Sequence, residues 1–247
     1  MSSIGKVSAI IEARMASTRL PGKVLIEVAG KPFLQHMIER VRRVPRIADV
    51  IVATTDGRSC DPIADLCKHL GVSVFRGSEE DVMDRVKGAA QAHDVDTIVE
   101  LTGDCPLIDP LIIDDVIQAY NEGNCDYAAN IFQSGYPLGM ECQVFSTDVL
   151  VDAVSRTDDP DDREHVSLYI YRNPERYRIR KVLARKALLA PKYRLTLDTP
   201  DDLEVISAVF DTLYPLEPEF GLDAILAFLF DNPAVADLNV GVAQKRV

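Results

Sequence analysis

The chain predicts an α/β fold: one domain, a mostly parallel sheet with helices on both faces, and an elaborated second half. Three observations carry this prediction. Over residues 1–121, apolar runs of strand length alternate with amphipathic segments of helical period, the pattern of strands joined by crossover helices. At 247 residues, 47% of them hydrophobic, the chain can bury one large core without needing a second domain. After residue 121 the runs shorten and turn-forming residues multiply, so the alternation gives way to something less regular.

Residues 7–11 are uniformly apolar and read as a buried first strand. Leu34, Met37, Ile38 and Val41 recur at helical spacing. Arg40, Arg42, Arg43 and Arg46 follow that stripe, and solvating the helix end, where cations complement its dipole, is their expected role. Strands are expected at 50–53, 72–75 and 97–101. Between them lie helices over about 61–70, from Ile63, Leu66 and Leu70, and over 80–92. Asp109 then serves as an N-cap with Pro110 at the first helical position, and Ile113, Val116, Ile117 and Tyr120 share one face. Farther on, 126–129 and 141–145 read as short strands around the turn-rich segment 133–139. An acidic loop, 158–162, precedes a helix to about Tyr171, and 177–183 and 193–197 read as strands. Thr199-Pro200-Asp201-Asp202 is a helix start, with Leu203, Ile206, Val209, Phe210 and Leu213 as the apolar face, and a last helix covers about 221–230. No repeat, low-complexity tract or linker interrupts this, so residues 1–247 are expected to form a single domain.

A net charge of −12 argues against nucleic acid or an anionic membrane as the main partner. The longest apolar run near the C-terminus, 224–230, is too short to span a bilayer, and the N-terminus lacks the pattern of a secretory signal. A cytoplasmic location is therefore expected. Cys60, Cys67, Cys105, Cys125 and Cys142 are scattered without a Cys-x-x-Cys pair, which speaks against a disulfide framework or a zinc site. Charge is unevenly placed: residues 1–46 hold nine Lys/Arg against three Asp/Glu, so an acidic protein has a basic first quarter.

That quarter contains Ile11-Glu-Ala13-Arg14-Met-Ala-Ser17-Thr18-Arg19-Leu-Pro21-Gly22-Lys23. Three fixed cations, two hydroxyls and a Pro-Gly turn after a first strand suit a polyphosphate, since the loop after a strand is where open α/β sheets bind ligands. It is no Walker A loop: Ser17 stands at the first glycine position, and Val24 follows the lysine. Asp104 and Asp198 each lie just past a predicted strand. Two carboxylates reaching that sheet edge are what Mg²⁺ beside phosphates requires. An aspartate before a helix is more often a cap, but Asp109 and Thr199 already fill those positions. Arg76 ends another predicted strand, where a nucleotide contact and an ion pair to Glu79 or Glu80 are alternatives. Glu141, Arg163 and His165 fall in the elaborated half; Arg163 could pair with a carboxylate in bidentate fashion, whereas histidines such as His165, His36, His69 and His93 are more often structural.

The loop resembles the signature of cytidylyltransferases that activate acidic sugars, nearest to the spore-coat polysaccharide biosynthesis group and the 3-deoxy-manno-octulosonate cytidylyltransferases. Gly103-Asp104-Cys105-Pro106-Leu107-Ile108 and Asp198-Thr199-Pro200-Asp201-Asp202-Leu203 resemble that superfamily's two metal-binding motifs, in the right order. Glu12 stands where relatives have Gln or Pro, and Thr102 and Cys105 where the octulosonate enzymes have Gln and Glu. The resemblance implies a Rossmann-like three-layer fold of the nucleotide-diphospho-sugar transferase (GT-A-like) type. It also implies Mg²⁺-dependent transfer of CMP from CTP to an acidic or modified sugar, with release of pyrophosphate, for surface polysaccharide. Nucleotide binding would fall to Ala13, Arg14, Ser17, Thr18, Arg19, Lys23, Arg76, Thr102, Gly103 and Asp104, and catalysis to Arg14, Lys23, Asp104 and Asp198. Asp104 and Asp198 would be the metal ligands. Glu141, Arg163 and His165 would bind the acceptor. Residues of about 1–121 would serve the nucleotide, about 122–192 the acceptor and a homodimer contact, and 193–247 would return to the core. The alternatives are a phosphonate or other small acidic acceptor, a nucleotide-sugar-dependent glycosyltransferase, and a non-catalytic nucleotide sensor. Against the glycosyltransferase, Asp94-Val95-Asp96 precedes its strand rather than following it.

Overall fold

In the computed structural model, which describes residues 5–131 and 133–244, β1 (Val7–Glu12) is an inner strand of a seven-stranded sheet. β4 (Asp49–Thr55) and β6 (Thr97–Thr102) flank it in parallel, and β5 (Ser73–Gly77) lies outside β4. Near-continuous apolar runs form the inner strands β1, β4 and β6 because both faces are covered, whereas β5 is a half-buried edge strand. α1 (Phe33–Val41), α2 (Asp61–Leu70) and α4 (Pro110–Asn121) bury their stripes on one face. α3 (Val82–Ala92) covers the other, aided by α5 (Thr147–Val154) and α7 (Leu168–Arg172). Asp109 caps α4 as expected, its Oδ1 accepting from the Leu111 amide at 2.7 Å.

The second half extends the same sheet. β8 (Gln143–Ser146) pairs antiparallel with β6, β7 (Tyr127–Ala129) antiparallel with β8, and β9 (Ile179–Lys181) parallel with β7. A third apolar cluster joins α8 (Pro200–Leu213) and α9 (Leu222–Asp231) to Phe33, Leu107, Leu195 and Leu197, with α10 (Pro233–Ala236) at its end. The result is a single α/β domain. Among the described residues no helix is long and apolar enough to cross a membrane.

Four expectations need correction. Residues 193–197 form no strand: a single bridge joins Leu138 to Arg194. The apolar alternation there is real, but it buries Leu195 and Leu197 beneath α8 and α9 rather than pairing along the sheet. The acidic segment is largely helix, since Asp159 caps a short α6 (Pro160–Glu164) that ends before α7 begins. The strand expected over 177–183 shrinks to β9, and α5 goes unanticipated although Ser146 caps it. Arg40 does not solvate a helix end. It is 3% exposed, donates to the carbonyls of Ile108 and Leu107, and lies over the Phe220 ring. An antiparallel pair, β2 (Glu27–Val28) and β3 (Lys31–Pro32), precedes α1.

Candidate active site

The loop after β1 is closed by backbone bonds that decide where its cations point. Ala13 still donates to the Ala53 carbonyl at 3.2 Å, so the chain leaves the sheet only after that residue. Gly22 adopts φ +69°, in the left-handed region, and donates to the Met15 carbonyl at 3.0 Å, folding residues 15–22 into a closed turn. Ser17 steadies it by accepting from the Leu20 amide at 3.3 Å, and Thr18 is exposed. A tight turn over Lys23–Leu25 then directs Lys23 back across the sheet edge. Gly103 brings the end of β6 against β1. Its amide donates to the Glu12 carbonyl at 2.8 Å, and a Cβ there would lie 2.5 Å from that oxygen. Asp104 follows at once, beside the loop.

Asp198 arrives by another route. The Leu195 amide bonds to the Leu138 carbonyl and the Leu197 amide to the Asp104 carbonyl, each at 2.7 Å. Thr196 Oγ1 also donates to the Asp104 carbonyl, at 3.3 Å. This extended strut, rather than a sheet strand, carries Asp198 to Asp104. Lys23 Nζ joins the two carboxylates, 3.2 Å from Asp104 Oδ2 and 2.8 Å from Asp198 Oδ1. Asp198 Oδ2 also meets Arg19 at 3.1 Å and Arg194 at 2.7 Å. Arg194 in turn donates Nε to Asp202, whose carboxylate closes the capping box of α8 with Thr199.

The electrostatics follow from partial burial. Desolvation works against the Lys23 ammonium, but Asp104 and Asp198 outweigh it and hold its pKa above the usual value. Burial likewise opposes ionised Asp198, yet Lys23, Arg19 and Arg194 keep its pKa below the usual carboxylate value. Two hard carboxylates already converging on one cation match the donor set that Mg²⁺ takes from a protein. Among the described residues no group of three His, Cys, Asp or Glu side chains could hold a metal, so phosphate oxygens and water would have to complete its shell.

The remaining predicted residues divide clearly. Arg14 reaches Glu164 across the site at 3.5 Å, with both side chains partly exposed. Thr102 is exposed, its hydroxyl 3.4 Å from Cys105 Sγ. Arg76 pairs with Asp61 at 2.7 Å rather than with Glu79 or Glu80, and it also donates to the carbonyls of Thr55 and Gly57. Arg163 is committed to the fold: its nitrogens donate to the carbonyls of Thr157 and Val154 and to Asp81 and Asp158. His165 ends α6, its amide bonded to the Asp161 carbonyl. Glu141 accepts from the Gly139 amide at 2.6 Å, and burial, reinforced by Asp104, pushes its pKa up to about 7.

Three groups escape sequence reasoning. Arg194 is 8% exposed and anchors Asp198; only its i, i+4 spacing to that aspartate hinted at this. Glu12 and Glu100 lie on the adjacent strands β1 and β6, two register positions apart, and each carboxyl feels the other, with Arg85 nearby. Burial raises both carboxyls, Glu12 to about 7 and Glu100 well above its ordinary value. Glu12 Oε1 and Glu100 Oε2 are buried without a hydrogen-bond partner, a cost that a proton held between the two carboxyls would relieve. Asp96, by contrast, accepts from the Lys6 amide at the opposite edge of the sheet, far from the position a glycosyltransferase metal motif would need.

Comparison with known proteins matches the family described as "Cytidylyltransferase" over residues 8–226. The chain is 36% identical to the spore coat polysaccharide biosynthesis protein SpsF of Bacillus subtilis, covering 92% of this chain and 95% of that one. It is 30% identical to a 3-deoxy-manno-octulosonate cytidylyltransferase of Solibacter usitatus, covering 83% and 94% respectively. Among solved structures, a cytidylyltransferase from Leptospira borgpetersenii superposes with a TM-score of 0.87 at 34% identity, over 98% of this chain and 99% of that one.

Proposed function

This chain belongs to the cytidylyltransferase family, and from that premise we propose that it transfers CMP from CTP to an acidic or modified sugar, releasing pyrophosphate, for surface polysaccharide synthesis. The observation that carries the reading is the convergence of Asp104 and Asp198 on a single cation beside the Arg14–Lys23 loop. The acceptor hydroxyl attacks the α-phosphorus in line with the departing pyrophosphate, a reaction accelerated chiefly by positioning and charge neutralisation. Arg14, Arg19 and Lys23 hold the triphosphate and offset the charge that grows on the leaving group. Asp104 and Asp198 would hold Mg²⁺, whose chemistry there is Lewis-acid neutralisation of phosphate charge. Ala13, Ser17, Thr18, Thr102 and Gly103 line the nucleotide side. Glu141, beside Asp104, faces the acceptor; Arg163, engaged within the fold, is better read as a tether of α6. The segment 122–192 contributes the acceptor side and a homodimer contact.

The test is pyrophosphate release from each of the four NTPs with Mg²⁺ and a panel of acidic sugars. CTP alone is expected to support turnover with one member or a few. A preference for UTP or GTP overturns the cytidylyl reading.

A further inference from the structure

We infer that Lys23 and Arg19 reserve the cation position in the nucleotide-free chain, so that the triphosphate must bind before the divalent ion. The inference rests on the reading that Asp104 and Asp198 hold that ion. Three aspartates gather here, Asp104, Asp198 and Asp202, against three cations, Lys23, Arg19 and Arg194. The cluster is therefore already neutral. Arg194 is fixed, because it is 8% exposed and clasps both Asp198 and Asp202.

Lys23 and Arg19 differ from it. Both extend from the loop rather than from the buried strut, and the Arg19 side chain is 40% exposed. The Lys23 ammonium is within hydrogen-bonding reach of one oxygen from each carboxylate, 3.2 and 2.8 Å away, and so stands between the groups a metal would bridge. A divalent ion entering the free chain would meet two resident like charges, and only two carboxylates to replace its water with. A triphosphate changes both terms. It offers Lys23 and Arg19 stronger anionic partners, drawing them off the carboxylates, and it supplies the oxygens that Mg²⁺ needs to complete its shell. Nucleotide and metal must then raise each other's affinity by the same factor.

Mn²⁺ binding to the full chain, read from the loss of the free-ion electron paramagnetic resonance signal, tests this without turnover. Five protein samples suffice, with a protein-free blank for the Mn²⁺ that the nucleotide binds by itself: wild type alone, wild type with α,β-methylene-CTP, and Lys23→Ala, Arg19→Ala and the Lys23→Ala, Asp104→Asn double variant without nucleotide. Wild type alone should bind Mn²⁺ at least tenfold more weakly than Lys23→Ala does. The analogue should tighten wild-type binding by a similar factor, and Asp104→Asn in the Lys23→Ala background should abolish the gain. Wild type alone binding as tightly as both loop variants overturns the inference. If Lys23→Ala does not fold, as judged by its circular dichroism melt, Arg19→Ala gives the same comparison from an exposed position. Failure of the analogue to bind at all would count against the functional reading instead, because the comparison of nucleotide-free samples does not depend on it.

Discussion

Lys23 contacts Asp104 and Asp198 whereas Arg14 contacts Glu164, but a phosphate loop should make both matter to the nucleotide alike. In the proposed function each makes a charge-assisted contact to the triphosphate, so Lys23→Ala and Arg14→Ala should each weaken CTP binding by about 1.5–3 kcal/mol. Calorimetric titration checks this, and unchanged affinity in both removes the phosphate-loop assignment. Stability should diverge elsewhere. Asp104 is partly exposed and Asp104→Asn should cut pyrophosphate release while leaving the fold unchanged. Asp198 sits inside the ion-pair cluster with Arg194, so Asp198→Asn should also lower the unfolding free energy, by about 1–3 kcal/mol in a urea titration. The Glu12–Glu100 pair predicts a pH dependence of opposite sign to that of a salt-bridged carboxylate. Because its folded pKa values are raised, the native state holds the extra proton. That stabilisation is complete below the ordinary carboxyl pKa of 4.5 and is lost as pH rises through about 7. Glu100→Gln keeps a hydrogen-bond donor toward Glu12 and removes one acid. Its melting temperature should therefore fall less than that of wild type between pH 5.5 and 8, and parallel curves would refute the shared proton.

At the scale of elements, the site depends on a strut that belongs to no sheet. Residues 195–198 are held by Leu138 on one side and Asp104 on the other. Gly139 lets them approach: it has φ +99°, and a Cβ there would lie 2.5 Å from the Leu195 carbonyl group. Gly139→Ala is thus strained twice, by its dihedral and by the clash. It should displace Asp198, lowering kcat by more than tenfold together with a drop in melting temperature. A variant with wild-type kcat would show that the strut does not position Asp198. The capping box of α8 works in the same direction, because Asp202 serves the helix start and Arg194 at once, tying a helix terminus to the candidate site.

For the whole molecule, the homodimer contact proposed for the segment 122–192 predicts two copies in solution. Leu189, 59% exposed within that segment, lies beside Phe230, 79% exposed, along a groove that also includes Tyr193 and Leu226. Sedimentation velocity should give twice the 27.3 kDa chain mass, and Leu189→Asp should shift the equilibrium toward single chains. A monomer at micromolar concentration contradicts the dimer.

By itself, the sequence determined the order and type of the central elements and named the two ends of the candidate site. Strand-length apolar runs, helix stripes and the caps at Asp109 and Thr199 are local signals, set by side-chain periodicity and by backbone groups a few residues away. The cation-rich loop and the two aspartates were legible for the same reason, as short motifs at element ends. Tertiary structure alone decided what lies between them. Nothing local in 193–197 distinguishes a sheet strand from a buried strut, because both alternate apolar and polar residues; only the partners at Leu138 and Asp104 make the difference. Nothing local in Arg40, Arg163 or Arg76 says that their charges are spent on partners as distant in sequence as Ile108, Asp81 and Thr55. The raised carboxyls of Glu12 and Glu100 likewise belong to a pair 88 positions apart, brought together by strand register and desolvated by packing. Periodicity reports on neighbours in sequence, whereas charge pairing and burial are set by neighbours in space.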